Sequence, residues 1–189
     1  MLAKPTWGRG AFVAGAAAGP LLTLAAGAVI LGLILWPWLR PDLEFERLPD
    51  GPNHLLRIYV VDAALRRGDP FPRWLSDLYL GYGYPLLNFY APAMYFLAAT
   101  LRQLGLSVYA SLQWTAALGV ATGVGGAYAL AHALYGGRRD AALLATAAFS
   151  LAPYPFFATL YSRGAIPELL AIALLPWALW AAWGMWRHR

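Results

Sequence analysis

The chain has 189 residues, 60% of them hydrophobic and only 12% charged, with a mean hydropathy of +0.52. A soluble domain carries roughly twice that share of charge, so the composition excludes an ordinary soluble enzyme and places the chain among membrane proteins. The net charge of +5 comes from Lys and Arg set singly or in pairs beside apolar runs, a pattern that orients spans and argues against a nucleic-acid partner; with no cysteine there is no disulfide framework, thiolate metal site or cysteine nucleophile.

Residues 1–9 form a short basic tail, and no charge follows from Gly10 to Leu39. A span needs roughly 20 apolar residues, so 10–39 reads as a first span and an uncleaved anchor. Lys4 and Arg9 put its start on the cytoplasmic side. Gly15, Gly19 and Gly27 leave room for a neighbouring helix, and Trp36 and Trp38 are expected to mark the outer interface.

The stretch from Arg40 to Asp77 holds seven of the nine acidic residues. Asp50-Gly-Pro52 reads as a helix start. From Asn53 to Arg67 an apolar stripe recurs with helical period through Leu55, Leu56, Tyr59, Val60, Ala63 and Ala64. His54, Arg57 and Arg66 lie away from that stripe, and Gly68 closes the helix before the rigid turn Asp69-Pro-Phe-Pro72. An amphipathic helix lying on the membrane is expected. Asp50, His54 and Arg57 stand at i, i+4 and i+7 and so share one of its faces.

Residues 78–101 are charge-free and aromatic, and their Gly and Pro content up to Pro92 argues against a continuous helix. The apolar residues left before Arg102 are too few for a span. Three longer charge-free runs follow, at 103–137, 141–161 and 169–186. If 93–101 is juxtamembrane or re-entrant, Lys4/Arg9, Arg138/Arg139 and Arg187/Arg189 all fall inside and 162–168 outside. If it spans, both later basic pairs land outside, against the rule for short loops. The expected fold is therefore all-α and polytopic. Its four spans are 10–39, 109–135, 141–161 and 167–186, and an outer loop at 40–108 carries juxtamembrane helices.

The polar residues outside the spans each have two readings. Asp50 is either a helix N-cap or a reactive carboxylate. His54 and Arg57 are either headgroup contacts or site residues. The run Tyr79, Tyr82, Tyr84, Phe89, Tyr90 and Tyr95 is either an interfacial belt or a platform for a sugar ring or isoprenoid tail. Arg163 and Glu168 flank a span edge, where charge usually has a partner, and Gly164 allows close approach of a ligand or backbone. Together they suggest a cavity wall facing Asp50 and His54, with Arg163 awaiting an anion such as phosphate. His132 lies near the inner interface, and no Asp, Glu, Lys or Arg falls mid-span, which argues against an ion-coupled transporter. One His with scattered carboxylates gives no support for a metal.

The stretches Asp50-Gly-Pro-Asn-His54, Gly68-Asp-Pro-Phe-Pro-Arg-Trp74, Gly81-Tyr-Gly-Tyr-Pro-Leu-Leu-Asn-Phe-Tyr90 and Tyr161-Ser-Arg-Gly-Ala-Ile-Pro-Glu168 occur in that order along the chain. This order resembles the N-terminal part of the polytopic GT-C glycosyltransferases, and more closely bacterial membrane proteins described as 6-pyruvoyl-tetrahydropterin synthase-related. The resemblance implies an enzyme of the bacterial cytoplasmic membrane that takes a sugar from a polyprenyl-phosphate carrier on the outer face. It implies Asp50 as the base or acceptor-binding carboxylate. His54, Arg57, Tyr82, Tyr84, Asn88, Tyr90, Arg163 and Glu168 are implied as substrate-binding residues. Neither loop has the paired acids of the metal-dependent members, so no cofactor is expected with certainty and a divalent metal lacks support. These families have many more spans, so a missing C-terminal region or a partner subunit is expected. The alternative is a non-catalytic membrane subunit or lipid-binding scaffold.

Overall fold

The computed structural model describes residues 19–187. The first span's expected start at Gly10, together with Lys4, Arg9, Gly15 and Arg189, lies outside the described residues. Within them every regular element is helical, and the lone bridge joins Leu75 to Tyr84. Helix α1 covers Gly19–Leu35, α2 Gly51–Arg66, the single turn α3 Leu86–Phe89, and α4 Ala93–Gln103. Helix α5 follows at Val108–Leu134 and α6 at Arg139–Ser150; a π-helical segment covers Pro153–Arg163 and α7 covers Ile166–Arg187.

Three stretches are long and apolar enough to cross a membrane: α5, α6 with its π-helical continuation (Arg139–Arg163), and α7; the described part of α1 is a shorter apolar helix. The protein is an all-α membrane protein. Helix α4 has 11 residues. At 1.5 Å per residue it is about 16 Å long, against a hydrocarbon core of roughly 30 Å. It packs on α2 and α5 instead.

Helix α5 is the centre of the bundle because small residues let its neighbours come close. An added Cβ at Gly123 would sit 2.6 Å from Phe156 and 3.2 Å from the backbone of Ala173, and one at Gly126 would strike Trp177 at 2.7 Å. Such small-residue stripes are how helices associate in lipid. Trp177 Nε1 then donates to the Thr122 carbonyl at 2.9 Å. Ser107 starts α5, its hydroxyl accepting from the Ala110 amide at 3.1 Å.

The glycine expectation for α1 is met in part. Gly19 receives the guanidinium of Arg139 at the start of α6, while among the described residues nothing lies within 4 Å of a Cβ at Gly27. The tryptophan expectation also divides. Trp36 is exposed, but Trp38 is fully buried. Its indole N–H donates to the Gln113 carbonyl at 3.1 Å, Gln113 Nε2 returns to the Trp38 carbonyl at 3.0 Å, and Phe45 meets its ring edge-on at 5.2 Å. A buried indole needs such a partner, and here it fastens the first loop to α5.

The expected span 141–161 is not one helix. It breaks at Leu151–Ala152, where Ala152 is extended (φ −60°, ψ 145°). Pro153 and Pro155 supply the cause: each lacks an N–H, and the residue before a proline is driven out of the helical region. The segment that resumes is wound as a π-helix, a form that is rare and usually brief.

Contacts place the two ends of the bundle. Gly19 lies against Arg139, and Arg138, Arg139 and Arg187 stand at the α5–α6 turn and the end of α7. Asp50 meets Arg163 at the other end, beneath the cap of α2, α3 and α4.

Candidate functional site

The cap and the second loop interlock through two glycines. Gly51 opens α2 so close to the Phe45 carbonyl that any Cβ would collide with it. Gly164 sits at φ +70°, with Leu48 3.1 Å from where its Cβ would be. Between them the Asp50 amide donates to the Arg163 carbonyl at 3.1 Å. Asp50 does occupy the cap position of α2. Its own backbone is helical (φ −96°, ψ −9°), and its carboxylate makes no capping hydrogen bond. A side-chain cap needs an extended backbone, so the capping reading of this carboxylate fails on geometry.

Helix α2 divides the expected apolar stripe between two sides. The face buried in the protein carries Gly51, His54, Ile58, Val61 and Asp62 together with Val60 and Ala64 of the stripe, while Leu56 and Tyr59 of the same stripe are exposed. Both faces are apolar, so the stripe alone did not distinguish the protein side from the outer side.

His54 is fully buried, and its Nδ1 lies 2.9 Å from the Tyr95 hydroxyl. Arg57 NH1 donates to the same hydroxyl at 3.2 Å. A guanidinium can only donate, so the Tyr95 oxygen accepts from Arg57, and its own proton is satisfied by His54 Nδ1, its one other hydrogen-bond partner among the described residues. The imidazole proton then sits on Nε2, which is buried without a hydrogen-bond partner among the described residues. Burial pushes the His54 pKa down to about 4; Asp50 opposes this, Arg57 adds to it, and the nearby Gly164 backbone opposes it without reaching hydrogen-bond geometry. Burial also pushes the Tyr95 phenol up to about 12, against the pull of Arg57. At neutral pH both are uncharged, and Arg57 is the charged member of the trio.

Beside this trio opens a cavity of about 390 Å³. Helix α2 contributes Asn53, Leu56 and Arg57, and the segment 78–90 contributes Leu78, Tyr79, Tyr84, Leu86, Phe89 and Tyr90. The Arg57 guanidinium carbon stands 4.3 Å over the Tyr90 ring, a cation–π contact that fixes it against the wall. Tyr79 and Tyr84 are 5.1 Å apart, centroid to centroid. The turn between them is strained: Tyr79 (φ 51°) and Leu80 (φ 59°) both adopt the left-handed conformation. For residues other than glycine this costs on the order of 1–3 kcal/mol each.

The candidate residues thus separate into three groups. Arg57, Tyr84 and Tyr90 line the cavity, while Tyr82 and Asn88 are exposed outside it. Asp50 and His54 lie at the junction with the second loop, not in the cavity lining. Arg163 and Glu168 pair with each other at 2.7 Å, and Tyr154 donates to Glu168. The expectation that the Arg163 side chain awaits an anion is therefore corrected: its charge is already matched, and it meets the first loop through its backbone.

Two arginines among the described residues are withdrawn from full exposure, Arg57 and Arg102. Arg102 Nε donates to the buried Asp62 carboxylate at 2.9 Å, and Arg66 shares that carboxylate at 3.1 Å. Arg57 pairs with no carboxylate among the described residues. The sequence reading omits Asn53, Asp62 and Arg102 from the site and puts Tyr95 only in the aromatic run. Asn53 stands four residues before Arg57 on one helical face and was accessible to that argument; the Tyr95 contact spans 41 positions and was not.

No three His, Asp or Glu side chains among the described residues are grouped so as to hold a metal ion. Comparison of the chain with family models, with curated proteins and with solved structures gave no match.

Proposed function

We propose that this chain binds a polyprenyl-phosphate-linked sugar and takes part in transferring that sugar, as a GT-C-like glycosyltransferase of the cytoplasmic membrane. The observation that supports this reading is Arg57: a partly buried guanidinium without a carboxylate, pinned by Tyr95 and Tyr90 in the wall of an aromatic cavity. Withdrawing a cation from water without an anion is costly, and a phosphate restores the balance with two parallel hydrogen bonds. The rings of Tyr79, Tyr84, Phe89 and Tyr90 offer faces for a sugar or an isoprenoid unit. The positive-inside rule sets the arginine-rich end in the cytoplasm and this cavity on the outer side.

In the proposed reaction an acceptor hydroxyl oxygen bonds to the anomeric carbon as the bond from that carbon to the carrier phosphate oxygen breaks. Asp50 takes the hydroxyl proton, and the phosphate leaves with the electron pair, its charge held by Arg57. Asp50 lies outside the cavity lining, so the acceptor approaches from the second-loop side. The same separation favours a second reading, a carrier-binding scaffold without turnover.

The test is binding of a polyprenyl-phosphate hexose to the chain in lipid nanodiscs, followed by native mass spectrometry, with transfer assayed in parallel. Arg57→Gln should weaken binding about tenfold or more, the worth of one charge-assisted contact. Equal binding by wild type and Arg57→Gln would remove the support for the reading. Carrier binding that needs Arg57, without any transfer by the wild type, selects the scaffold.

A further inference from the structure

We infer that the segment 78–90 is seated in the lipid headgroup region and gives the cavity a mouth that opens to the bilayer rather than to water. Three observations converge on this. Leu80 is 99% exposed and Tyr82 84%, and Tyr79 and Phe89 are also exposed. This is a cluster of large apolar groups on a loop, where a water-facing surface would carry charge. No charged residue occurs from Leu78 to Leu101. Its tyrosine-rich composition is one that settles between hydrocarbon and water.

The second observation is the backbone of that loop. Tyr79 and Leu80 are held in left-handed conformations, and nothing among the described residues covers Leu80. A strained turn that thrusts a leucine outward is compensated by what the leucine enters, and an acyl layer is the apolar medium beside a membrane-spanning bundle.

The third is continuity. Leu56, Tyr79 and Phe89 are both exposed and part of the cavity wall, so on their side the lipid-facing surface runs directly into the cavity. The cap holding them packs directly on the spanning helix α5 through α2 and α4. An amphiphile can therefore place an anionic head at Arg57 and leave its tail in the bilayer. The inference depends on the spans and the loop, not on sugar transfer, so the two fail separately.

The chain has no cysteine, which permits single labels. Leu80→Cys and Tyr82→Cys carry an environment-sensitive nitrobenzoxadiazole group in nanodiscs holding one chain each, and Arg73→Cys in the charged turn serves as control. Emission at positions 80 and 82 should shift to the blue and be quenched several-fold by brominated phosphatidylcholine, while the label at 73 stays water-like. Water-like, unquenched emission at both 80 and 82 overturns the inference. Two positions guard against one label dislodging its own side chain.

Discussion

The amide of Asp50 donates to the carbonyl of Arg163 at 3.1 Å, and this bond joins the cap of the molecule to the turn between its last two spans. It is a backbone contact, indifferent to either side chain. The Asp50 carboxylate is thereby left free of a structural hydrogen bond in the cap, and the Arg163 guanidinium is free to pair with Glu168.

From this it follows that Asp50→Asn and Asp50→Ala should both leave stability within about 0.5 kcal/mol of wild type, as for a substitution that breaks no bond. Under the proposed function both abolish transfer and retain carrier binding. Thermal unfolding in detergent beside the transfer assay checks this, and full transfer by Asp50→Asn would sink the role of Asp50 as base.

Tyr95→Phe removes one hydroxyl on which two side chains depend. His54 Nδ1 loses its donor and Arg57 its tether, so a loss of about 1–3 kcal/mol is expected. Carrier binding should weaken as well, because the guanidinium is no longer fixed over the cavity. A variant with unchanged melting and unchanged binding would show that the trio is incidental.

His54 makes stability depend on pH. Its folded pKa is about 4, below the ordinary 6.5, so the unfolded chain binds the proton more tightly. Stability from this group is complete above about pH 6.5 and is lost as pH falls toward 4. The full effect is on the order of 3 kcal/mol. Melting temperatures measured from pH 7 to pH 4 should show the fall in wild type and a flatter profile in His54→Gln.

The two ends of the bundle should label from opposite sides of the membrane. Ser162→Cys is exposed at the cap end and Tyr135→Cys at the arginine-rich end. With a membrane-impermeant thiol reagent on intact cells, position 162 should react and position 135 only after lysis. The reverse pattern would invert the orientation and put the cavity in the cytoplasm.

Much of this architecture can be read from the chain alone, for physical reasons. Charge-free runs long enough to cross a bilayer place α5 and α7 to within a residue at each end, since few other environments tolerate them. Gly51-Pro52 and Gly68 bracket α2 because one pair starts a helix and the other residue ends it. The inward face of α2 was hidden, as Ile58 and Val61 on one side match Leu56 and Tyr59 on the other in apolarity. The break before Pro153 was visible in the two prolines but masked by the length of the apolar run around them. For the site, Arg57 and the tyrosines could be chosen by residue type. Their dependence on Tyr95 could not, because that meeting is made by the packing of α4 on α2.

The interruption at Leu151–Ala152 divides one membrane crossing into two mechanical halves. The lower half, α6, lies along α5 and α1, while the upper half packs on α7, bonds to α1's end through Tyr161 and Ile34, and reaches the cap through Arg163. With the hydrogen-bond ladder cut between them, twisting the upper half does not turn the lower. The crossing behaves as a rod with a joint in it. A shift of Arg163 when the cavity fills would be absorbed within the bilayer at Ala152, leaving the arginine-rich end undisturbed.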